Sequence, residues 1–168
     1  METEDQNALP EPAGGGSQTS LWERPGYLIR RLHQIHVAIF IEECASFGIT
    51  PVQYAVMTAL LNRPGSDQIS IAREAGIDRT NVSDVLDRLE QRGLVRRKMS
   101  RADRRQRTAA LTAKGTRVAR EMEDASLRAQ AVLMAPLGPA KRATLMKLMT
   151  ELVEANNALS RAPANPPK

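Results

Sequence analysis

The chain is poor in the residues that build most staples and metal sites: it has one cysteine, two histidines and 3% aromatics. A single cysteine excludes an internal disulfide framework and any multi-cysteine zinc site, and it fits a reducing compartment. His33 and His36 lie three residues apart with no third histidine to complete a metal set, so neither metal nor cofactor is expected. No apolar run approaches the ~18 residues of a membrane span, so no membrane partner is expected. A glycine-rich phosphate loop, a nucleophile elbow and a metal cluster are all lacking, which argues against an enzyme. The start, Met1-Glu-Thr-Glu-Asp5, is acidic with no hydrophobic stretch behind it. A secretory signal is therefore not expected, and the cytoplasm is the default.

What remains is a chain of 168 residues, 42% hydrophobic, enough for one self-sufficient core plus tails. The net charge is +5, but its placement says more than its total. Between Arg92 and Arg107 stand eight basic residues (Arg92, Arg96, Arg97, Lys98, Arg101, Arg104, Arg105, Arg107) against one acid, Asp103. A cluster of that kind is the footprint of phosphate binding, although a solvated surface loop would have the same composition.

Residues 1–20, with Pro10, Pro12 and the run Gly14-Gly-Gly-Ser17, read as a disordered arm, and 161–168 as a disordered tail. The apolar spacing of Leu28, Leu32, Ile35 and Ile39 predicts a helix from Pro25 to Phe47, with Gly48 at a left-handed exit. Thr50-Pro-Val-Gln53 is a capping box that starts a second helix, ending near Arg63. Short helices are expected at Ser70–Ala75 and Arg79–Arg92, with a possible short strand at Gln68-Ile69 before them. Leu94–Met99 and Arg107–Leu111 read as two strands around the polar tip Ser100–Gln106. Thr112 would cap a long helix from Ala113 to Ala135, and a final helix spans Ala140–Leu159. Met134, Met146 and Met149 read as gap-filling core.

Ala72, Gly76 and Val82 have the spacing of a helix-turn-helix: a small residue where the helices approach, a turn glycine, and an apolar residue packing back. Ile71, Val85, Leu86 and Leu89 complete the inward face. The outward face of the second helix offers Arg79, Thr80, Asn81, Ser83, Asp84, Asp87 and Arg88, the donors and acceptors that base edges can use. A basic β-hairpin directly after such a unit is a wing, whose arginines favour the narrow minor groove.

Three ordered segments then resemble the MarR family of winged-helix regulators, over Gly26 to Leu159. They are Thr50-Pro-Val-Gln-Tyr54; Asp78-Arg-Thr-Asn-Val-Ser83 with Leu89-Glu-Gln-Arg-Gly-Leu-Val95; and Asp103-Arg-Arg105 with Leu111-Thr-Ala-Lys-Gly115. The resemblance implies a mainly α fold with a small β-hairpin wing. It divides 21–160 into a DNA-binding lobe, 50–112, and long dimerisation helices, 21–48 and 113–160. It further implies a homodimeric repressor, released from a palindromic double-stranded DNA operator by a small phenolic or anionic effector. By position, Arg105 would enter the minor groove with Asp103 holding its guanidinium, beside Arg101 and Arg104. Asp84 stands where the family often has a basic residue; it could accept from cytosine N4 or pair with Arg88.

Arg30 and Arg31 sit in the first turns of a helix, where the dipole disfavours cations. An anionic ligand would account for them, and so would a solvated surface or a dimer salt bridge. The segment Arg24–His36 looks like the family branch that senses aromatic acids or aromatic acyl-CoA thioesters. That resemblance nominates Tyr27, Arg30, Arg31, His33, His36, Tyr54 and Met57 as effector contacts. Cys44 could sense peroxide, as in another branch, but a position near a helix C-terminus raises a thiol pKa and no resolving partner exists. A winged-helix module that binds protein is the remaining alternative, and the basic wing argues against it.

Overall fold

The computed structural model describes residues 19–99, 107–161 and 163–164. The wing tip, including Arg101, Asp103, Arg104 and Arg105, lies outside the described residues, as does most of the expected arm and tail. The elements run α1 (Pro25–Glu43), α2 (Pro51–Asn62), β1 (Ser66–Asp67), α3 (Gln68–Ala75), α4 (Arg79–Gln91), β2 (Val95–Met99), β3 (Arg107–Leu111), α5 (Ala113–Glu121), α6 (Glu123–Met134) and α7 (Pro139–Asn156). The chain is thus mainly helical with a three-stranded antiparallel sheet in the order β1-β3-β2. No described helix is long and apolar enough to cross a membrane.

The caps that the sequence predicts form. Thr50 accepts from the Gln53 N–H while the Gln53 side chain accepts from the Thr50 N–H, a reciprocal box that satisfies two otherwise orphaned donors. Thr112 accepts from the Gly115 N–H at 3.0 Å. Gly76 takes φ +63° between α3 and α4, the left-handed region where a Cβ would be strained.

Four boundaries differ from the expectation. The α1 helix stops at Glu43, and residues 45–47 tighten into a 3-10 turn before Gly48 at φ +58°. This turn seats both Cys44 and Ile49 in the core, at 1% and 3% exposure. The first strand is Ser66–Asp67, not Gln68-Ile69, because the Asp67 carboxylate accepts from the Ser70 N–H at 2.8 Å and starts α3 at Gln68. The long helix expected from 113 to 135 is divided into α5 and α6 at Met122, a fully buried residue whose backbone stays right-handed helical. Its ladder survives there, since the Met122 N–H donates to Val118 and its carbonyl accepts from Ser126. The last α-helix ends at Asn156, followed by a 3-10 turn at 157–159.

The core gathers Phe40 and Cys44 from α1, Val56, Met57 and Leu60 from α2, and Ile71, Val82, Leu86 and Leu89 from the α3–α4 pair. Leu94 and Val95 at the start of the wing join it, with Met122, Ala125 and Ala129 from the α5–α6 segment. By contrast, α7 has no buried residue. Met146 and Met149, expected in the core, are exposed there with Leu148, Leu152 and Val153, because none of the described residues covers that face. Leu28, Ile29, Leu32 and Ile35 of α1 are likewise exposed.

Candidate nucleic-acid interface and interhelical cleft

The packing residues of the α3–α4 pair behave as their spacing predicts. Ala72 and Val82 are 3% and 0% exposed, and the turn between them lets the Ile77 N–H reach the Ala72 carbonyl. Asp78 caps α4, accepting from both the N–H and the hydroxyl of Thr80. Those two bonds, with Arg161 3.8 Å away, hold the Asp78 carboxyl below its ordinary pKa. Arg79, Thr80, Asn81, Asp84 and Arg88 are exposed and Ser83 is half-buried, so one polar face of α4 is free. Among the described residues no ion pair joins Asp84 to Arg88, which leaves the Asp84 carboxylate on that face.

The basic segment divides into two kinds of residue. Arg92 donates to the carbonyls of Gly48 and Phe47 at 2.6 and 2.8 Å, tying the end of α4 to the turn after α1. Arg97 turns back onto α4: its Nε donates to Glu90 at 2.8 Å, and its Nη2 pairs with Asp87 and Glu90. The bond from Arg97 holds the Glu90 carboxyl below the usual range and raises the guanidinium in return. Arg97 is thus turned inward, and Arg92, though exposed, has its guanidinium engaged by backbone carbonyls. Arg96, Lys98 and Arg107 are exposed on the hairpin. At the hairpin base, Gly115 lies so close to β2 that a Cβ there would stand 1.9 Å from the Leu94 carbonyl oxygen.

A cleft of about 330 Å³ opens between α1, α2, α3 and α6. Its walls include His36, Phe40, Tyr54, Thr58, Asn62, Glu74, Ser126 and Gln130. The Phe40 and Tyr54 rings lie 5.8 Å apart, and the Tyr54 hydroxyl donates to Glu123 at 3.0 Å. Burial, then the neighbouring His33, push the His36 pKa down, which favours the neutral ring, and its Nε2 lies 3.4 Å from the Gln130 amide nitrogen. Burial, reinforced by Glu123, pushes the Tyr54 phenol up.

Of the nominated effector contacts, His36 and Tyr54 line this cleft. Met57 does not, because it is fully buried in the core. Tyr27, Arg30, Arg31 and His33 sit off it, toward the exposed start of α1. There Arg30 stacks over the Tyr27 ring at 5.4 Å, Trp22 meets Tyr27 edge-on, and Arg31 donates to Gln34. Phe40, Thr58, Asn62, Glu74, Ser126 and Gln130 were not singled out from the sequence. They come from four helices, and no local spacing links them. Burial pushes the Cys44 thiol up, the opposite of what a reactive thiolate requires.

A helix-turn-helix with an exposed polar second helix, followed by a basic two-stranded hairpin, defines a winged-helix protein. The comparisons carry this further. The family model described as MarR family matches residues 47–106. The solved PcaV regulator of Streptomyces coelicolor, in complex with its natural ligand, is 30% identical with a TM-score of 0.73, over 83% of this chain and 99% of that one. BpsR of Bordetella bronchiseptica, whose DNA binding is regulated by 6-hydroxynicotinic acid, is 29% identical with a TM-score of 0.75, over 82% and 97%. Among curated relatives, the transcriptional regulator HosA of Escherichia coli is 39% identical over 90 residues. That match covers 54% of this chain and 65% of HosA. The chain belongs to the MarR family of transcriptional regulators.

Proposed function

We propose that the protein is a homodimeric, ligand-responsive repressor that binds a palindromic duplex operator and leaves it when a small aromatic, anionic effector is bound. The observation that carries this is the free polar face of α4 beside the exposed basic strands of the hairpin. In this reading α4 enters the major groove through Arg79, Thr80, Asn81, Ser83 and Arg88. The wing tip Arg101, Asp103, Arg104 and Arg105 serves the flanking minor groove. Such a protein acts on DNA in the cytoplasm and has no catalytic role.

Dimerisation follows from the apolar faces of α1 and α7, since each covered Leu or Ile returns up to ~1.5–3 kcal/mol. Residues 21–48 and 113–160 then form the dimerisation helices and 50–112 the DNA lobe. A dimer also sets the ~34 Å spacing that two recognition helices need to enter successive major grooves. The cleft joins α1 and α6 to α2 and α3, so a ligand wedged in it alters that spacing. Its aromatic walls and polar rim suit a molecule of the class that regulates BpsR. Arg30 lies six residues, about 9 Å, up α1 from His36; it and Arg31 would attract the effector's carboxylate or the phosphates of a coenzyme A moiety.

The test is titration of the wild type and of an Arg30→Ala/Arg31→Ala variant with an aromatic carboxylate and an aromatic acyl-CoA, on a duplex selected from a random pool. One ligand class should bind the wild type, bind the variant at least tenfold more weakly, and release the duplex. Thermodynamic linkage makes a tenfold loss of DNA affinity equal a tenfold loss of ligand affinity in the complex, ~1.4 kcal/mol. Tight ligand binding with undiminished DNA affinity would refute the switch.

A further inference from the structure

Arg97 and its carboxylates stand outside the DNA-reading face, yet they join its two halves. Among the described residues the β2 strand is an edge of the sheet, paired with β3 alone. At Arg97 the backbone N–H points off that edge and donates to Glu90 Oε1 at 3.0 Å. The other oxygen of the same carboxylate accepts from Arg97 Nε at 2.8 Å. One turn earlier on α4, Asp87 accepts from the same guanidinium. The Arg97 side chain is only 16% exposed, whereas its neighbours Arg96 and Lys98 project outward.

The attachments cannot be relaxed by one side-chain rotation. Glu90 grips backbone and side chain together, which fixes how far β2 stands from α4. Asp87, a turn away, fixes the tilt about that point. The guanidinium is planar and presents its donors as a rigid fork, so it transmits both constraints; an ammonium would not. Two carboxylates around one cation leave a net negative cluster, which is unsuited to phosphate. The charge pattern therefore separates Arg97 from the other cations of the segment.

We propose that Arg97 is a positioning residue for DNA reading: through Glu90 and Asp87 it locks the first wing strand onto the recognition helix, so that helix and wing tip meet one duplex in register. This rests on the DNA-binding reading above. Arg97 touches no DNA; it acts through the placement of the tip arginines.

The test is a double-mutant cycle on the full chain, with a duplex selected by the wild type from a random pool. The arms are Arg97→Ala, Arg97→Lys, Glu90→Gln, Arg104→Ala/Arg105→Ala, and each of the first three combined with the last. Arg97→Ala should weaken binding about tenfold, and neutralising the tip in that background should cost less than a further twofold. Arg97→Lys, which keeps the charge but not the fork, should behave as Arg97→Ala. Glu90→Gln should show a smaller loss with the same non-additivity, and serves as the readout should Arg97→Ala fail to fold.

A loss caused only by general destabilisation multiplies with the tip substitution, so full additivity overturns the proposal. It is equally overturned by wild-type affinity in Arg97→Lys, or by a tip that costs the wild type nothing when neutralised. A wild type that selects no duplex defeats the DNA-binding reading itself, and binding with additive losses defeats only this inference.

Discussion

Replacing Gly115 with alanine adds one methyl group at the point where α5 passes the wing. That Cβ would lie 1.9 Å from the Leu94 carbonyl oxygen and 2.9 Å from its carbon, far inside van der Waals contact. The obstacle is backbone, so no side-chain rotation relieves it. The same oxygen accepts from the Thr112 N–H at 3.0 Å and lies 3.3 Å from the Thr112 hydroxyl. Moving α5 away would stretch the bonds that dock its N-terminus on β2. Overpacking in a closely packed site costs about 1–3 kcal/mol, and a clash with main chain belongs at the upper end. For a chain of this size, about 3 kcal/mol lowers Tm by roughly 6–12 °C.

Urea unfolding at fixed protein concentration measures the change, and Gly26→Ala is the control. No atom stands within 4 Å of a Cβ at Gly26, and the residue is helical, so alanine there should be neutral or stabilise by up to ~1 kcal/mol. An unchanged midpoint in Gly115→Ala would refute the close approach of α5 and β2.

Arg92→Ala removes the two bonds to Phe47 and Gly48 and should destabilise by about 1–2 kcal/mol, discounted for exposure, while the salt dependence of DNA affinity stays as in the wild type. A salt slope reduced by about one would instead make it a phosphate contact. Glu90 has a depressed folded pKa, so its contribution is complete above the ordinary glutamate pKa and is lost as pH falls through the lower folded value. The stability gap between wild type and Glu90→Gln should therefore be constant near neutrality and close in acid; a gap that widens in acid contradicts the bond to Arg97. Leu152→Lys places a charge on the bare face of α7 and should give a monomer where the wild type, in the proposed reading, is a dimer by light scattering at micromolar concentration. An unchanged mass removes that face from the interface.

Local chemistry was readable from the chain itself. The capping box at Thr50 and Gln53, the Thr112 cap, the turn at Gly76 and the packing residues Ala72 and Val82 each depend on neighbours a few positions away. Covalent spacing alone brings such groups together. The alternation of helix and hairpin followed from the same short-range rules, and with it the winged-helix class.

Tertiary packing decided what each charge and apolar side chain faces. Arg92, Arg96, Arg97 and Lys98 are indistinguishable as a run of basic residues, yet two of them are engaged within the chain, Arg97 turned inward by Glu90 and Asp87 and the exposed Arg92 held by the Phe47 and Gly48 carbonyls that lie beside it in space. Met57 lies in the core, whereas Tyr54 three residues before it lines the cleft, because α2 is packed on several sides and only part of its circumference meets the cavity. The early end of α1 seats Cys44 and Ile49 in the core, a gain that exceeds the preference of a periodic segment to continue. Cleft residues contributed by four helices share no sequence spacing, so only the folded chain could assemble them.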